Sequence, residues 1–121
     1  MKTPEESANQ CLFCQIRDGE IPAEIIYRKE GVLAFRDIDP QAPVHVLIIP
    51  EKHIEGIFLA EEIELELLGR ICRAATRIAR RESIDETGYR LVVNSGPDAG
   101  QAVNHLHFHL LGGRALNWPP G

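Results

Sequence analysis

The chain has no surplus of basic residues: 13 Lys and Arg stand against 18 Asp and Glu, for a formal net charge of −5. A surface of that average sign repels nucleic acid and anionic lipid, which excludes non-specific binding to either. A local imidazole or basic site can still hold an anion. No apolar run approaches the roughly 20 residues of a membrane-spanning helix. Residues 1–10 are polar and charge-mixed, unlike an export signal, so the cytoplasm is the expected compartment. The three cysteines are an odd number and make no disulfide framework. There is no internal repeat and no linker. At 121 residues and 13.5 kDa the chain makes one domain, large enough for a real core and small enough to gain burial by pairing with a second copy.

What the chain does have is histidine in one pattern. His105, His107 and His109 alternate with Leu106 and Phe108, and Leu110 follows. In an extended strand successive side chains point to opposite faces, so the apolar set enters a core while the imidazoles line up on the other side. Same-face neighbours lie about 6.8 Å apart, so His107 and His109 can reach one phosphate-sized group. His105 and His109, about 13 Å apart, can hardly share it, which leaves His105 for a separate partner.

The other elements frame that strand. Residues 1–10 lack apolar periodicity and read as a mobile arm, with order beginning near Cys11. Residues 24–27 and 32–36 form a hairpin about Glu30-Gly31. Asp37, Pro40 and Pro43 force a loop, and residues 44–49 read as a buried central strand ending at Pro50. Residues 61–81 carry the helical period through Leu65, Leu68, Cys72, Ala75 and Ala79, with acids early and bases late. Residues 89–94 and 105–111 supply two more strands. The expectation is an α+β domain: an antiparallel sheet of about five strands with a long covering helix.

Several residues are chemically open at this stage. His45, in an apolar strand, is either a satisfied core residue or a member of the histidine cluster. Cys11 and Cys14 form a CxxC pair that lacks the βαβ setting of a redox motif. With His53 and the spare His105 they complete the four ligands of a structural zinc site, the alternatives being plain core thiols or a catalytic zinc on the triad itself. The loop from Gly96 to Gly100 is either an ordinary hairpin loop or a phosphate cradle, with Asn94 and Gln101 as side-chain donors. Asp37 caps a turn or accepts from a ribose diol.

The segment from His105 to Leu111 resembles the histidine triad signature. Matching stretches include Cys-Leu-Phe-Cys-Gln-Ile, Ala-Phe-Arg-Asp-Ile-Asp-Pro40, His-Val-Leu-Ile-Ile-Pro50 and Tyr-Arg-Leu-Val-Val-Asn94. The tail, Leu-Gly-Gly-Arg through Trp118-Pro-Pro-Gly121, is similar to the histidine triad nucleotide-binding (Hint) branch. The resemblance covers roughly residues 11–121. It implies a dimer with a ten-stranded sheet and a purine nucleoside monophosphate site on each protomer. It further implies attack by His107 on the α-phosphorus of a nucleoside phosphoramidate, giving a nucleotidyl-histidine that water hydrolyses. His109 would then bind phosphate and assist the leaving group, with His45 and His105 in support. Asn94, Gly100 and Gln101 would meet the phosphate, Asp37 the ribose, and Ile16, Phe35 and Ile38 the base. The CxxC resembles that of zinc-binding bacterial members, which implies a structural zinc on Cys11, Cys14, His53 and His105, with no metal in the chemistry. Two departures stand out: Ala102 where that branch usually has serine, which implies slower turnover, and Asn104 in place of a commonly aromatic residue. A dinucleoside polyphosphate hydrolase and a nucleotide-binding or scaffolding module are the alternatives.

Overall fold

A computed structural model describes residues 10–121. The expected mobile arm therefore lies, save for Gln10, outside the described residues. Strands β1 (Ile25–Lys29) and β2 (Val32–Arg36) meet at a two-residue turn in which Glu30 and Gly31 both have positive φ, 53° and 80°. That is the mirror-image turn whose twist suits a hairpin. Strand β3 (Val44–Pro50) lies between β2 and β5 (Phe108–Gly112), and β4 (Tyr89–Val93) closes the far edge, for the antiparallel order β1-β2-β3-β5-β4.

The long helix, α2 (Leu65–Arg81), lays Ile71, Ala74, Ala75, Ile78 and Ala79 on one face of the sheet. Leu106, Phe108 and Leu110 reach the same layer, as their alternation requires. The opposite face is covered by a six-residue helix, α1 (Leu12–Arg17), whose Phe13, Cys14 and Ile16 pack on Leu33, Phe35 and Ile49. This second, smaller layer leaves part of its sheet face open. The candidate site lies on that side. Among the described residues no helix is long and apolar enough to cross a membrane.

Two expectations need correction, and one element is additional. The helix begins at Leu65 rather than 61, because residues 57–62 form a kinked 3-10 segment and Ile63 is extended and buried. Burying Ile63 in that conformation is incompatible with continuing helix through it. The last strand starts at Phe108 rather than His105, since the Leu106 N–H donates to the Ile54 carbonyl at 2.6 Å instead of to a strand. Helix α1 was not anticipated. A six-residue element shows too little periodicity to announce itself, although Asp18-Gly19, with Gly19 at φ 78°, is a C-terminal stop signal.

Candidate active site

Strands β3 and β5 bring two histidines together from opposite directions. Leu47 is registered against His109, and His45 is two residues from Leu47, so all three point to the α1 side. His45 Nε2 lies 2.9 Å from His109 Nδ1. His107, buried at 7% exposure, sits with its ring 5.1 Å from that of His109 and 5.1 Å from the edge-on ring of Phe13.

The hydrogen bonds fix which nitrogens carry protons. His107 Nδ1 is 2.7 Å from the His105 carbonyl, which can only accept, so Nδ1 holds the proton and Nε2 keeps a free lone pair. His45 Nδ1 accepts from the Gln41 main-chain N–H at 3.0 Å, so neutral His45 is protonated at Nε2. That N–H donates to His109 Nδ1, and neutral His109 is left with its proton on Nε2. A bare lone pair on His107 thus stands beside an N–H on His109.

The electrostatics agree with neutral rings. His109 is pushed down to about 4, chiefly by burial and then by the nearby His107 and His45. Burial also lowers His45, against the pull of Asp37 and Asp39. Asp37, His45 and His109 bring ligand atoms within 4.8 Å of one another. Their closeness is explained by the relay, and the proton on His45 Nε2 occupies the lone pair a metal would need.

Asp37 follows β2. Its Oδ1 accepts from the Asp39 N–H at 2.8 Å, and Oδ2 lies 3.5 Å from His45 Nε2. It also borders a mainly apolar cavity of about 240 Å³, lined among others by Ile16, Phe35, Ile38 and Leu47. Ile38 is 95% exposed at its mouth. Four residues singled out in the sequence therefore share one cavity.

The loop after β4 is more self-contained than a bare phosphate cradle. Gln101 accepts from the Gly96 N–H through Oε1 and donates through Nε2 to the Glu55 and Val103 carbonyls, so both ends of its amide are engaged. The Gly100 N–H donates to the Pro97 carbonyl at 3.0 Å. Asn94, half-buried just past β4, makes no side-chain hydrogen bond among the described residues. Ala102 and Asn104 border a separate cleft of about 500 Å³, together with Glu55 and His53.

His105 turns away from the triad. Its Nδ1 lies 3.3 Å from Cys11 Sγ, 3.5 Å from Cys14 Sγ and 3.3 Å from His53 Nδ1, while Cys14 Sγ is 3.4 Å from His53 Nδ1. A tetrahedron with Zn–N ~2.0 Å and Zn–S ~2.3 Å has edges of ~3.3 Å for N···N and ~3.5 Å for N···S. Four of the six donor separations therefore match such a tetrahedron, and all four donors lie within 4.8 Å of one another. His105 Nε2–H donates to the Pro50 carbonyl at 2.9 Å, which frees Nδ1 as a ligand. Burial, and then Cys11, push the Cys14 thiol up to about 11. A divalent cation would reverse that.

A family model described as HIT domain matches residues 18–116. The chain belongs to the HIT domain family. Among its members, this chain is 48% identical over 112 residues to the 14 kDa zinc-binding protein of Brassica juncea, covering 91% of this chain and 98% of that protein. It is 45% identical to the adenylylsulfatase HINT1 of Arabidopsis thaliana, covering 98% of this chain and 80% of that one. A solved HIT family hydrolase from Legionella pneumophila Philadelphia 1 superposes with a TM-score of 0.86 at 50% identity, over 93% of this chain and 100% of that chain. Two groups at the site carry no signal in the sequence: Phe13, edge-on to His107, and the Gln41 main-chain N–H that bonds His45 Nδ1. Phe13 lay inside the CxxC stretch, where only the cysteines drew notice.

Proposed function

We propose that this chain is a purine nucleoside phosphoramidate hydrolase acting through a nucleotidyl-histidine intermediate. The observation that carries the reading is the fixed tautomer of His107, whose Nδ1 is tied to the His105 carbonyl so that Nε2 alone is nucleophilic. The Nε2 lone pair attacks the α-phosphorus, the P–N bond breaks, and the amine leaves with the bonding pair and takes up a proton from solvent. Water then attacks phosphorus, the phosphorus–Nε2 bonding pair returns to the ring, and the proton lost by that water returns to solvent. His109 donates its Nε2–H to a phosphate oxygen and assists departure, with His45 and His105 holding the flanking rings. Asn94 donates to phosphate. Gly100 and Gln101 shape the loop that meets it. Asp37 takes the ribose diol, and Ile16, Phe35 and Ile38 enclose the base.

Zinc, held by Cys11, Cys14, His53 and His105, is structural in this proposal and supplies a cross-link between α1, the turn after β3 and the histidine segment. No metal enters the chemistry. The chain works in the cytoplasm as a homodimer with a ten-stranded sheet.

A second reading has a specific observation behind it. Sulfate leaves without needing a proton, and the missing hydroxyl at Ala102 costs such a substrate little. Adenylylsulfate, the kind of substrate named in the Arabidopsis relative, is therefore the rival to the phosphoramidate, ahead of dinucleoside polyphosphates. Turnover of an adenosine alkylamine phosphoramidate, adenylylsulfate and a diadenosine polyphosphate is compared on the wild type and His107→Ala. The phosphoramidate should be the best substrate, and the variant should lose at least about 10³-fold on every one. A variant retaining more than about a tenth of wild-type turnover, only ~1.4 kcal/mol of barrier, overturns the nucleophile assignment.

A further inference from the structure

The histidine pair is held from outside the site. The loop between β2 and β3 is organised from within: the Asp39 N–H donates to Asp37 Oδ1 at 2.8 Å, and the Gln41 side chain donates to the Asp39 carbonyl at 3.1 Å. At its far end the Gln41 main chain points both ways. Its N–H donates to His45 Nδ1 at 3.0 Å, and its carbonyl accepts from Arg114 Nε and Nη2 at 3.2 and 2.9 Å. Arg114 lies just past β5, the strand that carries His109. The contacts thus close a ring: Arg114, Gln41, His45, His109 and back along β5. Arg114 borders neither the apolar cavity nor the cleft beside Ala102.

We propose that Arg114 and the Gln41 main chain are positioning groups that select the tautomers of His45 and His109, a role that rests on the hydrolase reading above. Were His45 protonated on Nδ1, two N–H groups would face each other at Gln41, and His45 Nε2 would present a lone pair to His109 Nδ1. His109 would then have to carry its proton on Nδ1 and turn a lone pair toward the phosphate oxygens. The Gln41 N–H forbids that arrangement. Arg114 makes the prohibition firm, because its forked guanidinium grips the carbonyl on the same residue and holds the Gln41 backbone in place.

The test is long-range ¹H–¹⁵N NMR of the histidine rings in the full chain, with turnover measured on the same samples. In wild type, His45 and His109 should each show an unprotonated Nδ1 and a protonated Nε2. Arg114→Ala should mix the tautomers of His45, with kcat falling about tenfold or more, ~1.4 kcal/mol of barrier, and KM moving less. Arg114→Lys, which keeps a charge but not the fork, should fall between, and it decides the matter if Arg114→Ala does not fold. A wild-type His45 protonated on Nδ1 overturns the proposal. So do variants that keep both tautomers, and variants whose tautomers mix while kcat stays within twofold. Because the ring nitrogens are read without substrate, a chain inactive on phosphoramidates, adenylylsulfate and diadenosine polyphosphates alike would refute the hydrolase reading and leave the tautomer result to stand or fall separately.

Discussion

Acidification should weaken this protein through His109, by an amount that follows from its surroundings. The unfolded chain binds a proton at this imidazole near the ordinary 6.5, but the folded chain does so only near 4, because burial and the adjoining His107 and His45 disfavour the cation. Between those values the unfolded state holds more protons, so stability rises with pH. The contribution is complete above the unfolded value and disappears as pH falls towards 4. At 1.36 kcal/mol per unit the full displacement corresponds to about 3 kcal/mol, and partial exposure of the ring reduces this to about 2 kcal/mol. The assay is urea unfolding of the wild type and His109→Gln at about pH 7.5 and about pH 4.5. Carboxylates and metal ligands titrate in both proteins and cancel in the difference. The wild type should lose about 2 kcal/mol more than the variant over that interval. Equal losses would mean that His109 is not held neutral by the fold.

Two further outcomes are expected. Protein purified without chelator should carry about one zinc per chain, and Cys14→Ala should remove it and lower the melting temperature, since structural metal binding contributes folding free energy; metal-free protein of unchanged melting temperature would count against the site. Ala102→Ser should raise turnover on an alkylamine phosphoramidate within the ~10²–10⁴-fold span of general acid catalysis and change an activated substrate little. Equal rates on both substrates before and after, in an equally stable protein, would show that the hydroxyl is not limiting.

The alternation of His105 to Leu110 carried most of what the sequence could tell about the site. It separates core from functional face whether or not the segment is a regular strand, and for that reason the apolar partition held although β5 starts three residues late. Spacing alone also sent His105 away from His109, which is where Cys11, Cys14 and His53 receive it. The central strand was legible because residues 44–49 are apolar on both faces save for His45. The start of α2 was not, since the helical period runs back through residues that the burial of Ile63 forces to be extended. Gln41 was invisible for a different reason: its part is played by a main-chain N–H, which every residue except proline possesses. The sequence points Gln101 at a phosphate, whereas its amide bonds the Glu55 and Val103 carbonyls and the Gly96 N–H of the protein itself.

The stretch from His105 to His107 is an overhang. It precedes the first registered pairs of β5, Phe108 with Ile48 and with Val93, so the proposed nucleophile stands at the very start of the strand's pairing. Two bonds, from the His105 ring to Pro50 and from the Leu106 amide to Ile54, pin it to the turn after β3. The sulfur and nitrogen cluster around His105 pins it a third time. Because His105 offers its ring to that cluster and its carbonyl to His107, one residue joins the mechanical anchor to the reactive nitrogen, with no flexible side chain between them. Whatever stiffens the cluster would narrow the arc through which His107 Nε2 can swing, so the aim of the proposed attack would be set from the side of the ring opposite its free nitrogen.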